Sequence, residues 1–251
     1  MEKTQYNQMG DGYKNLVKTP LRTFVHDATF NTYVPKLIRE RQTPLEGTVL
    51  DLACGEGRYT RQLKSMGFQR VLGTDISEKM IQLAKEQEAQ SPLGVEYLVG
   101  DAGSKAQWGE FNLATAWFLL HYASSKSHMD DMCATIAGNL KAGGAFIAYQ
   151  SNPFVSQTRD STKYGEIRRV IGEEKEGADV EVTLLQGDQK TQFIRKLWKP
   201  KTYETSLRKA GFSSITWLDP VISQEGIEKM SPDFWKEYIN EPSHRAIVCI
   251  K

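Results

Sequence analysis

A chain of 251 residues with 39% hydrophobic and 25% charged residues has ordinary globular composition, which excludes an intrinsically disordered protein. Its 32 Lys and Arg against 31 Asp and Glu leave a formal charge of +1, so no global basic field draws it to nucleic acid or an anionic membrane. The longest apolar runs, such as Ala114 to Leu120, fall far short of the ~20 residues of a membrane span, and the opening "MEKTQYNQMGDGYKN" has no apolar targeting core.

In chain order, residues 1–46 carry helix-like spacing and a run of aromatics (Tyr6, Tyr13, Phe24, Phe30 and Tyr33), and read as a helical cap. From Gly47 to Gln150, short apolar runs alternate with helical patterns, the signature of βαβ units around a parallel sheet. The expected strands are Thr48 to Leu52, Arg70 to Thr74, Val95 to Val99, Asn112 to Ala116 and Ala145 to Tyr149. Between them, Tyr59, Leu63 and Met66 share one helical face, as do Met80, Leu83 and Ala84, and then Met132, Ile136 and Leu140. Gly67 is placed to stop the first helix, Ser77 to cap the second, and Gly143 with Gly144 to end the third. The alternation predicts an α/β fold with a doubly wound, Rossmann-like core over 47–150, its ligand at the carboxyl ends of the strands.

Residues 151–200 break the alternation: "DVEVTLLQ" and "KTQFIRKLW" around "GDQK" read as an antiparallel flap over the substrate. Residues 201–251 then supply the helix "KTYETSLRKAGF" and the strands "SSITWL" and "HRAIVCI", which complete the core sheet. All four segments are expected to form one overall domain.

The turn after the first strand, in "VLDLACGEGRYTRQL", points backbone N–H groups at a ligand. Gly55 and Gly57 match two glycines of a dinucleotide fingerprint, but Thr60 stands where the third belongs. Asp51 at the strand end would repel a pyrophosphate and favours a ligand bearing an ammonium or sulfonium. Asp75, ending the second strand in "GTDIS", is placed to accept from ribose hydroxyls, and Asp101, in "GDA", from an adenine amine. A capping role is the plain alternative for each acid alone; three acids at three successive strand ends favour a ligand site.

These segments resemble the class I S-adenosylmethionine-dependent methyltransferases. "VLDLACGEG" resembles the first family motif with Ala53 in place of its first glycine, "GTDIS" the second and "GDA" the adenine motif. "FNLATAWFLLHYA" and "LKAGGAFIAYQSN" are similar to the fourth and fifth strands with their flanks. The resemblance implies a seven-stranded sheet and S-adenosylmethionine as cofactor. It implies contacts from Asp51, Ala53, Cys54, Gly55 and Gly57 to the methionine part, Asp75 and Ile76 to the ribose, and Asp101 and Ala102 to adenine. Met80 and Trp117 join this cofactor wall. "YNQMGDGYKNL", "KYG", "YETSLRKAGF" and "DFWKEYI" are most similar to the toxoflavin-type azapteridine N-methyltransferases, which adds Tyr164 to the substrate residues.

Methyl transfer from a sulfonium needs positioning, desolvation and, for some acceptors, proton removal. His121 and Tyr122 are the expected catalytic pair facing the methyl group, and Trp117 and Phe118 are expected to line its channel. Tyr6 and Tyr13, seven residues apart, share a face if helical, with Tyr13 closing over the sulfonium and Tyr6 over the substrate. Cys54, Cys133 and Cys249 give no disulfide framework or CxxC knuckle and suit a reducing cytoplasm; Cys54 reads as packing rather than nucleophile. His26, His128 and His244 are scattered without ligand spacing, so no metal is expected. The expected activity is methylation of an N or O atom of a small, planar metabolite. The alternatives are a nicotinamide-dependent oxidoreductase, which needs the third glycine, and a non-catalytic cofactor binder. The sequence does not fix an oligomeric state.

Overall fold

The computed structural model describes residues 19–251. Its centre is a seven-stranded sheet, and each strand lies where an apolar run placed it. The strands are β1 (Thr48–Leu52), β2 (Arg70–Asp75), β3 (Glu96–Val99), β4 (Phe111–Trp117) and β5 (Leu140–Ser151), with β10 (Ser214–Leu218) and β11 (His244–Ile250). The order is β10-β11-β5-β4-β1-β2-β3. Strands β1 to β5 pair in parallel, while β11 runs antiparallel to both β5 and β10.

Alternate residues of β1 feed opposite faces, as the two-residue period of a strand requires. Leu50 and Leu52 join a core with Met129, Met132 and Ile136 of α4 (Lys126–Gly138) and Leu207 of α5 (Pro200–Lys209). Val49 turns to the other face, against Phe30, Val34 and Leu37 of α1 (Asp27–Glu40) and Leu63 of α2 (Arg58–Ser65). Ser77 caps α3 (Glu78–Gln90) by accepting from the Met80 amide at 3.3 Å. A π-helical turn, Arg22–His26, leads into α1.

Gly143 and Gly144 lie within β5 rather than at the end of a helix. The helix stops earlier because the Asn139 carboxamide accepts from the Trp108 and Gly109 amides and donates to the Ala106 and Thr135 carbonyls.

The flap is a four-stranded antiparallel sheet, β6 (Arg159–Ser161), β7 (Glu166–Val170), β8 (Asp179–Gln186) and β9 (Gln189–Lys196). The 179–196 hairpin matches the expected one; β6 and β7 are additional, too short and too charged to show as apolar runs. Two further helices, α6 (Gln224–Met230) and α7 (Pro232–Asn240), anchor the flap. Tyr164 stacks on Trp235 of α7 at 5.7 Å and donates to the Phe234 carbonyl at 2.9 Å. Leu21 and Val25 of the N-terminal turn complete that buried cluster.

Candidate functional site

The turn after β1 has left-handed backbone at Ala53 (φ 52°), Gly55 (φ 55°) and Gly57 (φ 89°). A Cβ on Gly55 would meet nothing within 4 Å and would project into open cleft, so glycine there leaves the backbone bare to a ligand. Gly57 does something else: a Cβ would collide with the Tyr97 hydroxyl, and its bare face packs against that ring.

The turn is tied to the second strand end. Asp75 accepts from the Gly55 amide at 2.9 Å and the Ser77 amide at 2.8 Å. Burial raises its carboxyl, and these two backbone donors oppose the rise. Asp51, 2% exposed, accepts from the hydroxyls of Thr60 and Thr115, each at 2.6 Å. Burial pushes Asp51 up to about 6, against the pull of both hydroxyls. Thr60 thus fills the third-glycine position with a side chain that serves the acid. Asp101 turns its own loop by accepting from the Gly103 amide at 2.8 Å.

Two cavities flank this turn. One, of about 870 Å³, is lined by Ala53, Gly55, Asp75, Ile76, Met80, Asp101, Ala102, Trp117, Phe118 and Tyr122, among others. The second, of about 520 Å³, brings Asp51, Cys54, Gly55, Trp117 and Phe118 together with Arg22, His26 and Arg58. Gly57 lines neither. Cys54 also packs on Tyr97, and burial raises its thiol well above the ordinary value, which leaves it protonated. The expected lid residues Tyr6 and Tyr13 lie outside the described residues.

A third cavity, of about 780 Å³, lies beneath the flap and is lined by His121, Tyr122 and Phe118. Tyr164 is not part of its wall, because its ring is spent on the α7 anchor; the next two residues, Gly165 and Glu166, line it instead. Sequence reasoning missed His26, His244, Glu166 and Arg195 here. His244 Nε2 lies 3.7 Å from Glu166 Oε2, and the His26 and His244 rings are 5.2 Å apart. Burial lowers His26, His121 and His244 well below the usual histidine value, so all three are neutral at pH 7. His26 Nε2 is buried without a hydrogen-bond partner. Among the described residues no three His, Cys, Asp or Glu side chains group to hold a metal.

Phe118 is the corner that all three cavities share. It holds φ 67°, a conformation that costs a bulky residue energy and that clusters at functional sites. Its amide donates to the Tyr149 carbonyl at 2.7 Å, which fixes the corner to β5.

The "Methyltransferase domain" family model matches residues 49–144, the span that carries all three acids. Residues 49–144 thus match a methyltransferase domain. The ubiquinone biosynthesis O-methyltransferase of Coxiella burnetii is 32% identical over 107 residues, 42% of this chain and 44% of that protein. An uncharacterized protein of Haemophilus influenzae is 24% identical over 121 residues, 46% of each chain. The match therefore spans less than half the length of either relative. An S-adenosylmethionine-dependent methyltransferase from Clostridium acetobutylicum superposes with TM-score 0.66 and 17% identity, over 98% of both chains. An amino pentose methyltransferase from Micromonospora echinaspora, solved with S-adenosylmethionine bound, gives TM-score 0.62 and 15% identity over 97% of this chain and 96% of that one. The methyltransferase domain thus sits within a chain whose whole fold is that of the class I enzymes. Among the described residues no helix is long and apolar enough to cross a membrane.

Proposed function

We propose that this chain is a cytoplasmic S-adenosylmethionine-dependent methyltransferase that methylates an N or O atom of a small, planar metabolite. The observation that carries the reading is the Phe118 corner, a wall common to the two cavities around the glycine turn and the cleft beneath the flap. Residues 47–150 hold the cofactor and residues 151–200 cover the acceptor.

The residues around the turn fit the cofactor. Asp75 and Ile76 hold the ribose, Asp101, Ala102 and Met80 the adenine end, and Asp51, Ala53, Cys54 and Gly55 the methionine end. Trp117 and Phe118 wall the passage between clefts. When bound, S-adenosylmethionine supplies a methyl group already activated as a sulfonium. The chain's task is then to orient the acceptor, exclude water and accept a proton. His121 and Tyr122 face the acceptor from the loop after β4. His26 borders both the methionine end and the acceptor cleft, and its imidazole, held neutral by burial, orients the acceptor there.

Incubation with methyl-tritiated S-adenosylmethionine and a library of planar phenols, heteroaromatic amines and aromatic acids tests the reading. Labelled product is expected from at least one acceptor, and it is expected to disappear in His26→Ala protein that still binds the cofactor. Absence of measurable S-adenosylmethionine binding to the folded wild-type protein would overturn it.

A further inference from the structure

Charge does not balance beneath the flap. Two guanidiniums are buried there, Arg168 at 1% and Arg195 at 4% exposure, against one buried carboxylate, Glu166. Arg168 Nε lies 3.2 Å from Glu166 Oε1, so that pair is neutral as a unit. Arg195 forms no ion pair among the described residues. Its hydrogen bonds go to neutral acceptors, the Gln157 carboxamide oxygen at 2.8 Å and the Lys196 carbonyl at 3.4 Å. The neighbouring His121 and His244 carry no charge at neutral pH, since burial and the arginines hold both low.

Burial, with the repulsion of Arg168, lowers Arg195 to about 10 against the pull of Glu166, which still leaves it cationic at pH 7, with one carboxylate for two guanidiniums. An uncompensated buried charge is costly to keep. Arg195 lines the cleft, so an entering anion can neutralise it, and a guanidinium fork matches a carboxylate through two parallel hydrogen bonds.

The rest of the wall describes the body attached to that anion. Val182, Leu184 and Phe193 come from the flap, with Leu21 and Phe118 from the N-terminal turn and the corner. Arg195 acts electrostatically on His121, whose ring lies 6.2 Å from Phe118. His26 lies 5.1 Å from Phe118. The cleft therefore sets the buried Arg195 beside His121 and His244, whose rings lie 6.2 and 5.3 Å from Phe118, among apolar and aromatic walls; Arg22, which pairs with Glu56 at 3.8 Å, also lines it.

We propose that the acceptor is a flat, apolar carboxylate of single negative charge, its carboxylate seated on Arg195 and its methylated atom held at Phe118. The proposal rests on the methyltransferase reading of the site. Arg195 selects and orients, and leaves bond making to the Phe118 corner. Neutral analogues of the same shape leave the guanidinium buried and uncompensated, so the site discriminates against them.

The test is calorimetric titration at pH 7 of protein loaded with S-adenosylhomocysteine. The probes are benzoate, 2-naphthoate and indole-3-acetate, each beside its neutral amide. At least one carboxylate is expected to bind about tenfold or more tightly than its amide, the range for a charge-assisted pair. In Arg195→Gln protein with unaltered S-adenosylhomocysteine affinity, the ratio is expected to fall to near one. Equal binding of acid and amide, binding of none of the six probes, or a preference that survives in Arg195→Gln would each overturn the proposal. If the variant does not fold, the wild-type ratios alone decide. Failure of S-adenosylhomocysteine to bind, with the carboxylate preference intact, would strike the methyltransferase reading and leave the anion site standing.

Discussion

The two ends of the site are built in opposite ways. Around the cofactor turn, Asp75 is held by the amides of Ser77 and Gly55 and Asp101 by that of Gly103, so each acid is fixed at or beside its own strand end. Beneath the flap, His26, His121, Glu166, Arg195 and His244 come from five separate stretches, and His121 accepts from Ser151 while Arg195 donates to Gln157. The first end is written in short segments. The second exists only once the sheet, the flap and α7 have come together. The difference teaches that a turn-built half announces its ligand, whereas a topology-built half carries its specificity unannounced.

The sharpest way to break this contrast is at Gly55. Gly55→Val forces a β-branched residue into left-handed backbone and projects its methyls into the cleft, and it is expected to weaken S-adenosylmethionine binding by roughly 100-fold or more. Calorimetry on folded protein reads the loss, and near-normal affinity would move the cofactor off this turn. Asp75→Ala comes next. Removing a carboxylate that ties Gly55 to Ser77, and that we propose holds the ribose, is expected to cost about 1.5–3 kcal/mol of cofactor binding, ten- to a hundredfold.

Asp51 separates stability from function. Its carboxyl is raised to about 6 from 3.8, so the stability provided by the protonated form is full below pH 3.8 and lost as pH rises through about 6. Asp51→Asn is expected to abolish that decline in melting temperature between pH 4 and 6, while cofactor affinity at pH 7 falls about tenfold. A variant that melts with the wild-type pH slope would show that Asp51 is not the titrating group. The smallest expected effect is at Ala53, whose φ of 52° strains a side chain that glycine lacks. Ala53→Gly is expected to stabilise the protein by about 0.5–1 kcal/mol, read by denaturant unfolding, with cofactor affinity retained.

The central sheet was legible because its parallel strands are short, mostly apolar runs followed by turn residues, as in Thr48–Leu52 before the glycine turn and Arg70–Asp75 before Ser77. The three acids were legible because strand ends place them without help from distant segments. Strands β6 and β7 were not, since "RDS" and "EIRRV" are mostly charged. The turn between them buries Tyr164 against Trp235 and Tyr238, which lie far along the chain. Gly57 looked like a cofactor glycine from its spacing, but the pressure on it comes from Tyr97 across the sheet. His26 and His244 looked scattered because no local spacing records that their rings lie 5.2 Å apart. The one signal available for the acceptor half was a cationic side chain, Arg195, amid the apolar flap residues "FIRKLW", and only burial gives it meaning.

A crystal structure with S-adenosylhomocysteine tests the division of the site most directly. The ribose is expected over Asp75, the adenine beside Ala102 and Asp101, and the sulfur at Phe118, leaving the Arg195 cleft free for the acceptor. A nucleoside lodged beneath the flap against Arg195, with the turn at Gly55 vacant, would contradict the account.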